Sequence, residues 1–152
     1  MKNFLSAYKK GFTLIELLVV IGILGVLLTI VLVAINPQRQ FQQANNTKRQ
    51  SDISAILNAV SQYAADNKGT LPAAITTTSQ VVANTAADLC ASLVPTYLAA
   101  LPSDPLVNSG NAITDCTAAY SVGYTVLKSA TNNRVTVAAP QAELSQTISV
   151  TR

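Results

Sequence analysis

The chain has 152 residues, of which 11% are charged and 49% apolar. That charged share is less than half of the roughly 25% usual for a soluble domain. A disordered polyelectrolyte is excluded, and so is an ordinary charge-rich cytosolic globule. There is no histidine, which removes imidazole-based nucleophilic catalysis, histidine-ligated zinc and histidine-ligated haem. Two cysteines are too few for a metal cluster, and the six glycines form no phosphate-cradling loop. No catalytic residue and no cofactor is expected. The formal net charge of +3 raises the question of an anionic partner, which the placement of the charges decides.

Residues 1–10 are polar and basic, with Lys2, Lys9 and Lys10. Residues 12–35 are apolar apart from Thr13, Glu16 and Thr29, and 17–35 carry no charge. At about 1.5 Å per residue such a run matches a hydrocarbon layer of about 30 Å, which predicts a membrane-spanning helix. Lysines before it and few charges after it place the N-terminus in the cytoplasm and the rest of the chain outside. A cleaved secretory signal would have a shorter apolar region. A plain signal anchor leaves Glu16 without a role, although a carboxylate near a membrane centre costs about 2.5–3.5 kcal/mol.

The segment from Lys9 to Leu18 reads KKGFTLIELL. It resembles the processing site of type IV prepilins and type II secretion pseudopilins. The resemblance covers the leader, the cleavage site, the glutamate and the following helix, about a third of the chain. It implies cleavage between Gly11 and Phe12 by a membrane-embedded prepilin peptidase, which also N-methylates Phe12. It implies further that Glu16 docks an incoming copy by pairing with that copy's new N-terminal ammonium. The chemistry agrees: Lys9 and Lys10 lie more than one helical turn upstream of Glu16, whereas cleavage creates an ammonium on Phe12, four residues away on the same face. Removing the three leader lysines of ten basic residues leaves seven against seven acidic. The basicity is thus chiefly a topology signal, and nucleic acid is expected as a partner only through a filament-level role in DNA uptake.

Beyond the apolar run, residues 36–51 are rich in Gln, Asn, Arg and Lys, and 52–63 regain helical spacing through Ile53, Ile56, Leu57, Val60 and Tyr63. Asn67 and Gly69 close the helix and Pro72 forbids its resumption. A helix over 12–67 would run about 80 Å, too long for one crossing, so its second half must leave the bilayer and pack on something. Pro37 predicts an interruption near residues 33–37. Gly22 and Gly25, in the apolar half, allow close helix approach.

In the remainder, residues 71–85 read as an Ala/Thr/Ser-rich loop. Thr85 with Asp88 resembles a helix start before Leu89, Cys90, Leu93 and Val94. Residues 101–105, LPSDP, form a turn-rich break. From Tyr120 the period becomes two: Val122, Tyr124 and Val126 share its face, Asn132 and Asn133 turn, Val135 and Val137 alternate, and Ile148 with Val150 suggest a last strand. About three antiparallel strands lying on the amphipathic helix are expected.

Cys90 and Cys116 in an exported chain suggest a disulfide worth about 3.5 kcal/mol in the chain-entropy view; the alternative is two separate buried thiols. LPSDP resembles a stretch of the major secretion pseudopilins, which bind calcium in the head. Ser103, Asp104, Asn108 and Asp115 would supply only part of a calcium shell, and Asp104 reads equally as a turn residue between two prolines. No metal site is expected.

The fold class expected is α+β, a type IV pilin-like fold: a long N-terminal helix, its first half transmembrane, with a small antiparallel sheet on its second half. The expected organisation is a cleaved leader (1–11), a transmembrane and filament-core half-helix (12–35), a soluble amphipathic half-helix (36–67) and a globular head (68–152). The expected function is a structural pilin of an extracellular filament. Its partners would be prepilin peptidase, copies of itself and a pilus or secretion assembly platform, with the precursor held in the inner membrane. A type II secretion or competence pseudopilin, and a monomeric membrane-anchored binding module, are the alternatives.

Overall fold

The computed structural model describes residues 11–152; Lys2, Lys9, Lys10 and the rest of the expected leader lie outside the described residues. The chain divides into two compact units, Met1–Gln40 and Phe41–Arg152.

In the first unit, α1 runs Leu14–Ile35, 22 residues without one buried side chain. At about 1.5 Å per residue it spans about 33 Å, long and apolar enough to cross a membrane. It starts two residues later than Phe12, because Thr13 takes an extended conformation as its N-cap. Asn36 ends it at φ 45°, the left-handed region that asparagine tolerates better than most residues. Pro37 opens α2 (Pro37–Asp66), at the position where its missing N–H costs nothing. Asn36 also accepts the Arg39 N–H on its Oδ1 at 3.3 Å. The expected interruption is therefore a break at a single residue, Asn36, within the expected 33–37.

The second unit is built on α2. Its buried positions Ile53, Ile56, Leu57 and Val60 follow the apolar spacing, and the stripe continues upstream through Asn46 and Arg49. Asn67 and Gly69 do close the helix: the Asn67 and Gly69 N–H groups donate to the Tyr63 and Ala64 carbonyls, and Gly69 has φ 86°.

Four antiparallel strands form one sheet in the order β1-β2-β3-β4: β1 Gln80–Ala83, β2 Ser121–Lys128, β3 Val135–Ala139 and β4 Ile148–Thr151. The expectation of three strands is corrected by β1, which lies inside the stretch read as a loop. Its Gln80 and Val81 pair with Val126 and Thr125. Only four residues, QVVA, stand out from the surrounding small polar run, and sheet pairing rather than local propensity fixes them. The expected helix start at Thr85 and Asp88 is also corrected. The helix there, α3 (Cys90–Leu93), is a single turn whose N-cap Leu89 makes no side-chain cap. Asp88 instead accepts the Cys90 N–H at 3.2 Å and the Tyr120 hydroxyl at 2.7 Å.

The inward sheet face, Val122, Tyr124, Val126, Val135, Val137, Ala139 and Ile148, shares one core with the α2 stripe and with Ile75, Val82, Leu89, Leu93 and Leu101. Cys90 and Cys116 form a disulfide with Cα atoms 5.4 Å apart. It ties α3 to the segment leading into β2.

Candidate processing and assembly site

The residues singled out at the N-terminus converge on the first turn of α1. Gly11, Phe12 and Thr13 precede the helix and are exposed, with Phe12 82% accessible. The Gly11–Phe12 bond thus lies in non-helical chain. Thr13 and Glu16 make a reciprocal cap. The Thr13 N–H and Oγ1–H both donate to Glu16 Oε2 at 2.7 Å, and the Glu16 N–H donates to Thr13 Oγ1 at 3.2 Å. This is a capping box, T-x-x-E, satisfying two otherwise orphaned groups at the helix start.

Glu16 is therefore not without a partner in the uncut chain. Sequence reasoning counted only cations, although the Thr-x-x-Glu spacing was there to be read. Both donors reach Oε2, and among the described residues Oε1 has none. The carboxylate stands at the N-terminal end of α1, where the helix dipole favours negative charge. That arrangement can hold a carboxylate ionised and oriented at the edge of an apolar segment and present one oxygen to an ammonium.

The head is organised by a second polar cluster, which sequence reasoning missed. Arg49 is fully buried on the α2 stripe. Its Nε donates to Asp104 Oδ2 at 2.7 Å and its Nη2 to Asp104 Oδ1 at 3.1 Å. Its Nη1 reaches Glu143 Oε2 at 2.8 Å and Asn46 Oδ1 at 2.9 Å. Asn46 in turn bonds the Glu143 backbone in both directions and Gln146 Oε1. Three segments far apart in sequence, α2, the LPSDP turn and the β3–β4 connection, are thereby locked together. The hydrogen bonds that Arg49 donates to Asp104, with support from Glu143, raise its pKa above the ordinary arginine value, so it is a cation at any accessible pH. Arg49 and Asn45 hold the Glu143 carboxyl below the usual glutamate range. Beside this cluster, the Tyr124 hydroxyl donates to Asp52 Oδ2 at 2.7 Å, and burial in the core raises its pKa.

The side chains considered as calcium ligands make other hydrogen bonds. Both Asp104 oxygens face Arg49, Ser103 Oγ donates to the Val107 carbonyl, Asn108 Nδ2 donates to the Ser121 carbonyl, and Asp115 accepts from Thr117. Among the described residues no three Asp, Glu, Cys or His side chains cluster as metal ligands.

Residues 6–32 match the family model described as the prokaryotic N-terminal methylation motif. No curated protein and no solved structure matches the chain.

Proposed function

We propose, for a chain that carries the N-terminal methylation signature of type IV prepilins and pseudopilins, that it is a structural subunit of a surface filament and not an enzyme. The observation carrying this reading is the position of the motif. It leads without interruption into a fully exposed apolar helix of 22 residues that ends at a capped break. A helix with no buried side chain needs an apolar environment, and lipid before assembly and neighbouring subunits after it are the two that fit.

In this reading the precursor sits in the cytoplasmic membrane with its N-terminus inside. Prepilin peptidase cuts between Gly11 and Phe12 and methylates the Phe12 nitrogen. The Glu16 carboxylate, oriented by Thr13, pairs with the Phe12 ammonium of an incoming copy. Transfer from lipid to filament then exchanges one apolar surrounding for another, and the charge pair sets the register.

A type IV pilin is preferred because the head is weakly charged, rich in Thr, Ser, Asn and Ala, and closed by a disulfide. The LPSDP stretch favours a type II secretion or competence pseudopilin as the second reading. N-terminal sequencing of the mature chain tests the proposal: a methylated Phe12 is expected, and a retained Met1 would overturn it and favour a monomeric anchored binding module. Electron microscopy of sheared filaments, with mass spectrometry of their main band, separates a major pilin from a pseudopilin.

A further inference from the structure

The charges of the head are few, and four of its cations lie toward one end of the sheet. Lys128 ends β2 and pairs with Val135, next to Arg134, while Arg152, just after β4, exchanges backbone hydrogen bonds with Val135 at the start of β3. Lys68, at the close of α2, adjoins a cleft of about 220 Å³ lined by Gly69, Thr70, Pro72, Lys128 and Asn133. Four cations thus gather at one end. Arg152 is held there by Asn58 at 2.6 Å. Asp66, two residues before Lys68, is exposed as well, so this end is basic by excess rather than free of carboxylate.

The other end of β2 begins at Ser121, opposite Ala83. It carries a second cleft of about 220 Å³, lined by Ala112, Asp115, Ala118 and Tyr120, with Asp88 beneath Tyr120. Hydrogen bonds from Thr117 keep the Asp115 carboxyl below its usual range, so it is ionised at neutral pH. Eight strand residues separate the ends, about 23 Å at 3.3 Å per residue. That is well beyond the roughly 8 Å screening length of physiological salt, so the two charge groups do not neutralise each other within one molecule.

We propose that these ends are the two halves of one contact between successive copies of this chain, Lys128 and Arg134 of one head meeting Asp115 of the next. The contact is heterologous, each head offering a different surface at each end, and such contacts propagate into open helical arrays rather than closed dimers. Complementary charge at the rim fixes partner and register, which a head with little other surface charge has few means to do. The inference rests on the filament reading and adds to it a second specificity element outside the N-terminal helix.

Filament yield from the full chain tests it. Lys128→Glu with Arg134→Glu should lower yield at least tenfold, and Asp115→Lys alone should do the same. Combining all three should restore yield to within about twofold of wild type. Intact disulfide and normal membrane levels of each precursor exclude misfolding as the cause. Wild-type yield from the double variant, or failure of the triple variant to recover, would overturn the contact. So would unchanged filaments that have lost retention on immobilised heparin, because the basic end would then serve a polyanion. If the wild-type chain itself forms no filaments, the filament reading falls first.

Discussion

Arg49 and Asp104 meet through a two-pronged ion pair, 2.7 and 3.1 Å, with both side chains fully withdrawn from solvent. The pair joins a helix to a turn 55 residues away, and Glu143 adds a third segment. Breaking such a pair from one side leaves a charge buried without compensation, at a cost of about 3–5 kcal/mol, whereas replacing both members with apolar groups is far less damaging. Arg49→Ala or Asp104→Ala should therefore lower the unfolding free energy of the detergent-solubilised chain by that amount, read from its denaturant unfolding curve. Arg49→Met with Asp104→Leu should recover more than half of it. Equal losses in the single and double variants would mean the pair does not act as a unit.

The turn that delivers Asp104 depends on Gly123. This residue has φ 79°, and a Cβ there would lie 2.8 Å from Val107 Cγ2 and 3.1 Å from Asp104 Cβ. The Asp104 N–H also donates to the neighbouring Val122 carbonyl at 2.9 Å. Gly123→Ala should then cost about 2 kcal/mol or more through backbone strain and displacement of the turn. Because the nearest obstructing atom is Val107 Cγ2, which alanine lacks, the effect should shrink in a Val107→Ala background. Double-mutant denaturation checks this, and strict additivity would count against the coupling.

Glu143 gives stability a defined acid limb. Its pKa is depressed in the folded state, chiefly by Arg49 and then by Asn45. The unfolded chain therefore binds its proton first as pH falls, and the stabilisation is complete above the unfolded glutamate value of about 4.3 and is lost as pH drops through the lower folded value. Thermal midpoints measured between pH 7 and pH 3 should fall in that acid window. Glu143→Gln should lower the neutral-pH midpoint and flatten the acid limb; an unchanged slope would remove Glu143 from the account.

Tyr124 gives the opposite limb. Burial raises its hydroxyl pKa, followed by its bond to Asp52, and Tyr120 is shifted the same way by burial and Asp88. A raised folded value means the stabilisation is whole below the unfolded tyrosine value of about 10 and is lost as pH climbs toward the folded one. Denaturation midpoints should therefore decline above about pH 10, and Tyr124→Phe should lessen that decline while lowering the neutral-pH midpoint through loss of the Asp52 bond. An alkaline limb identical in the variant would assign the effect to other groups.

What the sequence made legible follows from how local each signal is. The apolar run of α1, Pro37 after it, the Ile53–Ile56–Leu57–Val60 stripe and the alternation through Val122, Tyr124 and Val126 are set by neighbours within a turn or a strand, and the structure has them. β1 was hidden because QVVA is short and its partners lie about forty residues on. Arg49 and Asn46 were hidden for a different reason. Polar residues at helical spacing read as a solvated face, and only partners at 104 and 143 make their burial affordable. The spacing itself, 46, 49, 53, 56, 60, did continue the stripe upstream. At the N-terminus the Thr13 cap that holds Glu16 is local, spaced as T-x-x-E, and was legible in the same way as the stripe.

That cap separates two roles that a single Glu16 substitution would confuse. Glu16→Ala removes the carboxylate from both the Thr13 box and the proposed docking, so membrane insertion should persist while filaments fall to background. Glu16→Gln keeps a capping side chain, since glutamine also serves at this position of the box, but it cannot pair with an ammonium. Thr13→Ala removes the cap, costing about 1 kcal/mol of helix-start stability, and leaves the charge in place but unoriented. If the charge is what assembly requires, Glu16→Gln should fail as completely as Glu16→Ala, and Thr13→Ala should assemble at reduced yield. If orientation by the cap dominates, the order reverses, with Glu16→Gln active and Thr13→Ala inert. Quantifying sheared filaments alongside the cleaved fraction of each variant distinguishes the two, because loss of cleavage would place the effect at the peptidase rather than at docking.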